Sequence, residues 1–495
     1  MHHPEPGERR ASADDERAMH ENEELRGWGE STVSRGLVHR VEGTAQLAEL
    51  MASAGGRGET VAFRGGGRSY GDAALNTGGS IVELGRLDRI LEFDGKEGLA
   101  RVEPGVTIAA LWRMSIAHGF WPYVVPGTMH VTIGGALSMN IHGKNQYKVG
   151  SFGEYVRSFR LLTPSGEELR CSRTENADLF HAAIGGMGLL GCILEVELQL
   201  KRVSSGRLLV HARSTRELGE AMQALDTSQA DSDYMVGWID CFARGSRLGR
   251  GLLHLAQHVP AQENPDPFLS PARQDVPGRA FGVVPLAWLW PGLWLTVHGR
   301  AMRWVNMAKF YAGIREASRP AYLQTHGAFH FLLDYVPGWK RALMPGGLLQ
   351  FQPFVPKEQA HAVYTHILER CQREGLIPYL GVLKRHRPAP FLMSYYVDGY
   401  SLALDFSVTG SNRERLWKLC REMADHVLAH GGRFYYAKDS VLTPEQFRAN
   451  HAPGAIERFL ALKARVDPKN VLQTDQWRRL TSLGQGSPGD GFAPA

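Results

Sequence analysis

Cysteine is scarce in this chain: five residues in 495 (Cys171, Cys192, Cys241, Cys371 and Cys420), none of them in a Cys-x-x-Cys pair. So small, odd and scattered a set excludes a disulfide framework and a cysteine-held zinc, and reduced thiols suit a cytoplasmic or cytoplasm-facing protein. HExxH and clustered carboxylates are also missing, so no metal is expected, and without a GxSxG elbow an α/β-hydrolase reading falls away. A Walker A sequence is absent too. A dinucleotide fingerprint anchored at Gly65 and Gly67 fails because Tyr70 stands where its third glycine belongs. Neither charge sign dominates: 56 Lys+Arg against 51 Asp+Glu leave only +5, too little to argue for nucleic acid. The first 30 residues are crowded with charge and hold no apolar core, so they read as a flexible lead-in and not a secretory signal.

A long uninterrupted apolar run is the last absence. "FGVVPLAWLWPGLWLTVHGRAMRWVNMAKF" (281–310) opens with 17 uncharged residues, but Pro285 and Pro291 break it. A spanning helix needs about 20 apolar residues in register, which prolines interrupt. Trp288, Trp290 and Trp294, followed by Arg300, Arg303 and Lys309, fit either a membrane-surface segment over 281–304 or a core helix hairpin. The expected location is therefore cytoplasmic or peripheral to the inner membrane.

What is abundant is glycine in clusters. "TVAFRGGGRSYGDAALN" (60–76) reads as a strand running into a bare turn, and "PGTMHVTIGG" (126–135) and "GGMGLLG" (185–191) repeat the device. Consecutive glycines expose several N–H groups at once, and such nests attract phosphate. Three clusters within one region point to a long, flat ligand bearing a diphosphate. "TIGGALSMNIHGKN" (132–145) sets His142 and Lys144 directly beside this bare backbone. Alternating apolar residues flank Pro164-Ser165-Gly166 as a hairpin, and short strands mix with helices without a regular βαβ series, so the fold class is α+β. The texture changes near 206. The expected organisation is a charged lead-in over 1–40, a first unit over 41–205, a second over 206–430, a C-terminal return over 431–482 and a disordered tail over 483–495. In "LLQFQPF" the period-2 rule points Gln350 and Gln352 to one sheet face.

In order and spacing, "RGGGRSYGD", "VEPGVT", "PGT…TIGG…IHGKN…GSFG" and "GGMGLLGCI" resemble the FAD-binding domain of the vanillyl-alcohol-oxidase-like (PCMH-type) flavoproteins. "HGKN", "YYAKDS" and "VDPKNVL…RRL" resemble the branch that oxidises a secondary hydroxyl of a polyprenyl-phosphate pentose, the flavin half of an epimerase serving cell-wall arabinan. The resemblance implies a two-part FAD-binding domain and a substrate domain with an antiparallel sheet and flanking helices. FAD would be non-covalent, because the first glycine turn carries Arg68-Ser69-Tyr70 and no tethering histidine.

Position by position, the resemblance implies cofactor contacts from Phe63, Arg64, Gly65, Gly66, Gly67, Arg68, Ser69, Tyr70, Gly71, Asp72 and Ala73 around the diphosphate. It adds Gly127, Thr128, Thr132, Ile133, Gly134 and Gly135 along the flavin chain, and Met139, Asn140, Ile141 and His142 against the ring. Ile193 would meet the adenine end and Tyr435 would close over the ring. Lys438 is the leading catalytic candidate, with His142 and Tyr70 beside it; Lys144, Gln350, Gln352, Lys384 and Lys438 would bind substrate. The implied partners are a polyprenyl-phosphate sugar and a short-chain NAD(P)H reductase. Two alternatives stay open: an oxidase of a small soluble polyol or aldonolactone, and a flavin-binding scaffold without turnover. Ala403 stands where members of the lipid-sugar branch carry a cysteine, which hydride transfer does not require.

Overall fold

The structure, a computed structural model, describes residues 20–261, 266–274, 276, 279–280, 284–285, 290–297 and 301–481. Most of the lead-in, Trp288 and the tail from 482 lie outside them.

Three sheets organise the chain. A four-stranded sheet runs His20–Arg26, Val33–Arg40, Ser80–Glu83, Val61–Arg64, and its last three strands are mutually parallel. A six-stranded antiparallel sheet is centred on Cys192–Arg202, which lies between Leu99–Val102 and Val156–Leu162. The proline–glycine turn closes a hairpin, as its alternation predicts: Val156–Leu162 pairs Glu168–Ser172. Past Arg202 the chain enters a nine-stranded sheet at Arg207, and this sheet holds it until Arg433–Phe434. The mixture is α+β.

Helices Lys357–Glu374 and Arg413–Ala429 each bury one stripe at three- and four-residue spacing, Val363–Ile367–Cys371 and Leu416–Cys420–Met423. These stripes supply the apolar cover that a sheet face needs. Gly375 ends the first of them in the left-handed conformation at φ 70°, which a β-carbon would strain.

The tryptophan-rich stretch becomes helix Trp290–Val297, with Pro291 in its first turn, followed by helix Ala301–Ala317. The second helix turns Met302, Asn306, Phe310 and Gly313 inward, and at Gly313 the missing side chain admits Leu252. Trp294, Leu295, Trp304 and Tyr311 stay at least half exposed. Among the described residues no helix is long and apolar enough to cross a membrane.

After Phe434 the chain returns to the first sheet. Tyr70 N–H donates to the Ala437 carbonyl at 2.8 Å and Val61 N–H to that of Val471 at 2.8 Å. Arg479 fixes this return: its guanidinium grips both Asp72 carboxylate oxygens at 2.8 and 2.9 Å and one of Asp439 at 3.0 Å.

Candidate active site

The glycine turns and the inner face of the nine-stranded sheet enclose one cavity of about 470 Å³. Its first wall is local backbone: Gly65–Gly67, Gly127, Gly134, Gly135 and Gly188. Its far wall is the strand pair Leu380–His386 and Gly399–Ser407 together with Gln350 and Gln352, which share one face as their spacing predicts. Thr132 organises the middle. It caps helix Ile133–Ser138 by accepting from Gly135 N–H, and it packs where a β-carbon at Gly65 would fall.

Most residues expected against a cofactor meet here: Phe63, Gly65, Gly66, Gly67, Arg68, Ser69, Tyr70, Ala73, Gly127, Thr128, Thr132, Gly134, Gly135, Met139, Ile141, His142, Ile193 and Tyr435. So do all five expected substrate residues. Five further residues expected at the cofactor, Arg64, Gly71, Asp72, Ile133 and Asn140, do not line the cavity, and other segments engage them. Arg64 turns away to the Arg26 carbonyl at 3.0 Å and Asp72 belongs to Arg479. Gly71 packs bare against the Asp439 carbonyl, and Ile133 is fully buried in the core. Asn140 Oδ1 accepts from Gly153 N–H at 3.0 Å and its backbone carbonyl accepts from the Tyr395 and Tyr396 hydroxyls, while its buried Nδ2 has no partner among the described residues. Lys144 lines the cavity, but its ammonium is already held by the Phe329 carbonyl.

Electrostatics set the chemistry. His142 is buried and its Nε2 meets the Gln352 amide Nε2 at 3.2 Å. An amide nitrogen only donates, so imidazole Nε2 accepts and Nδ1 carries the proton; that Nδ1 has no partner among the described residues. Burial first, then the fields of Lys384, His386 and Lys438, hold the ring well below the usual histidine range. The Lys438 ammonium stands 3.5 Å from the centroid of the Tyr70 ring. Lys384 is pushed down to about 8 by burial. Neither lysine side chain has a hydrogen bond or ion pair among the described residues. Tyr70 is also enclosed, and burial drives its hydroxyl well above its ordinary range, so the phenol stays protonated beneath the ammonium.

Sequence reasoning missed Trp238, Lys309, His330 and Asp405, which also line the cavity. Asp405 could have been found, since the strand alternation that exposes Ala403 to the cavity exposes the residue two positions on. The other three arrive through long-range closure and carry no local signal.

A family model described as "FAD binding domain" matches residues 36–172. The chain is 32% identical over 481 residues to decaprenylphosphoryl-beta-D-ribose oxidase of Mycolicibacterium smegmatis, covering 93% of this chain and 97% of that protein. The chain belongs to the PCMH-type FAD-linked oxidases. Within that family it is also 29% identical over 198 residues to mouse L-gulonolactone oxidase, 40% of this chain and 44% of that one. With L-gulono-1,4-lactone dehydrogenase of Mycobacterium tuberculosis it shares 22% over 457 residues, 91% of this chain and 97% of the other. It is thus an FAD-dependent oxidoreductase acting on CH–OH groups.

The cavity of this oxidase fits FAD on its own geometry. At Gly188, φ 75°, an added β-carbon would meet only the Phe63 ring at 3.9 Å and would otherwise occupy the cavity. Arg68 Nε and His142 Nδ1 are buried donors without hydrogen-bond partners among the described residues. Buried donors of this kind are normally satisfied, and each costs about 1–3 kcal/mol when it is not. One lies by the glycine turn, where a diphosphate would sit, and the other by the aromatic cluster around His142.

Proposed function

We propose that this flavoprotein oxidises a secondary hydroxyl of a pentose carried on a polyprenyl phosphate, with FAD held non-covalently. The observation that carries the reading is the basic lining of the cavity: Arg68, Lys309, Lys384 and Lys438 face it against one carboxylate among the described residues, Asp405. That excess suits a phosphorylated substrate better than a neutral polyol. FAD, when bound, supplies the two-electron acceptor for the alcohol.

In this reading the residues do the following. Lys438 stabilises negative charge developing at the reacting centre by a fixed field. His142 acts as a neutral Nδ1–H donor. Its Nε2 lone pair is engaged by Gln352, which favours that donor role over a base's. Gln350 and Gln352 read sugar hydroxyls, and Lys384 meets the phosphate. Tyr435, stacked on Tyr395 at 4.3 Å, closes the aromatic end and excludes water. A short-chain NAD(P)H reductase would return the keto sugar to an alcohol of inverted configuration. The exposed Trp294, Leu295, Trp304 and Tyr311 would rest on the membrane carrying the lipid.

The test is anaerobic mixing of the yellow protein with decaprenylphosphoryl ribose, with L-gulono-1,4-lactone and with ribitol. Bleaching of the flavin by the lipid-linked sugar alone is expected. Bleaching only by the lactone or the polyol overturns the reading in favour of the soluble-substrate alternative, which the full-length similarity to a lactone dehydrogenase supports.

A further inference from the structure

Asp405 lies in the middle of strand Gly399–Ser407, between Gln350 and Leu380 of its two neighbours. It is 1% exposed, and its carboxylate accepts one hydrogen bond, from Gln350 Nε2 at 2.5 Å. It is the only acidic side chain lining the cavity among the described residues. No ion pair within 4.0 Å compensates it there. Across the cavity, Lys438 is equally unpaired. A buried charge without a counter-charge is expensive, and a carboxylate and an ammonium facing one enclosed space relieve each other at longer range.

We infer that Asp405 is the counter-charge that favours the ammonium form of Lys438 in the cavity both line, which makes it a positioning residue for the alcohol oxidation. The inference rests on the placement of Lys438 at the reacting centre and not on which alcohol is oxidised. The groups facing Lys438 divide clearly. Burial and the cation of Lys384 push its ammonium down, whereas Asp405 alone pushes it up. Tyr70 beneath it is uncharged, and His142 is held neutral. Asp405 is shifted the opposite way: burial raises it, while Gln350 and Lys438 restrain the rise. Burial is the larger influence and holds Lys438 down to about 7, so Asp405 is the one group that opposes it there. A carboxylate merely satisfied by Gln350 would have no bearing on the charge state of Lys438.

The experiment uses the full-length, flavin-loaded protein. Amine acetylation at Lys438 is followed by mass spectrometry against pH, for the native chain and for Asp405→Asn. The pH of half-maximal labelling is expected to fall by about one unit or more in the variant, the size of shift an opposite charge nearby produces. The pH profile of flavin reduction by the alcohol should move with it, and Asp405→Glu should restore both. Should Asp405→Asn not accumulate, Asp405→Ala carries the same expectation. An unmoved labelling midpoint in a folded variant overturns the inference, and so does a labelling shift that leaves the reduction profile in place. Labelling needs no substrate, so failure of the lipid-sugar reading would show separately, as absent bleaching.

Discussion

Replacing Arg479 by methionine tests how the two ends of the chain are joined at the site. The arginine side chain is 18% exposed, and the carboxylates it holds are 13% (Asp72) and 2% (Asp439) exposed. Asp72 closes the first glycine turn and Asp439 follows Lys438. Arg479 also donates to the Leu442 carbonyl at 2.7 Å, so the guanidinium ties three segments at once. Methionine matches much of its bulk but leaves two neighbouring buried carboxylates without a cation. Breaking a buried pair from one side costs about 3–5 kcal/mol, a large part of the roughly 5–15 kcal/mol that holds a typical domain together. Urea unfolding followed by tryptophan fluorescence, together with the flavin-to-protein ratio after gel filtration, measures the outcome. The midpoint is expected to fall by that order and the flavin to be lost, because the segment bearing Lys438 is released. Arg479→Lys should recover only part, since an ammonium cannot span both carboxylates in the bidentate geometry. A variant within about 1 kcal/mol of native that keeps its flavin would refute the reasoning.

Further expectations concern the cavity itself. Gly188→Val places a branched side chain at φ 75° and into the cavity, so purified protein should be colourless while its secondary structure by circular dichroism is retained. Lys384, held down to about 8, gives affinity for an anionic substrate that is fully present below that pH and lost as pH rises through it; KM for a phosphorylated alcohol should rise there, and Lys384→Met should flatten the profile. The native cysteines are all buried, and Cys192 at the cavity wall is kept a thiol by that burial, so a cavity-directed maleimide should not react. Ala403→Cys introduces a thiol on the cavity face, and one new adduct by mass spectrometry is expected.

The legible parts of the site were those written in consecutive residues. Glycine clusters are read directly because a bare turn is a property of its own sequence, and the period of "LLQFQPF" placed two amides on one face without reference to any partner. Adjacency in sequence is not orientation. Within Phe63–Ala73 successive residues point in different directions, so Arg64, Gly71 and Asp72 face neighbouring segments although their neighbours line the cavity. Asn140, with φ 43°, engages Gly153 through Oδ1 and, through its carbonyl, two tyrosines 255 and 256 residues away, contacts that no local pattern announces. Lys309 and His330 enter from helices Ala301–Ala317 and His326–His330, on either side of the edge strand Tyr322–Thr325 of the nine-stranded sheet. Their place depends on strand order, which periodicity does not encode.

The balance of charge argues for an occupied cavity as the working state. Lys384 and Lys438 are buried amines with no hydrogen-bond or ion-pair partner among the described residues, and Lys309, 4.6 Å over the Trp238 ring, feels Glu316 only at longer range. An enclosed charge is costly unless paired, so these groups lower the stability of the empty protein. A diphosphate at the glycine turns and a phosphate near Lys384 would each relieve that cost, and a ligand that binds only the folded chain adds RT ln(1 + [L]/Kd) to its stability. A neutral polyol would leave the substrate end uncompensated. On the proposed reading, the phosphate is therefore part of what completes this cavity.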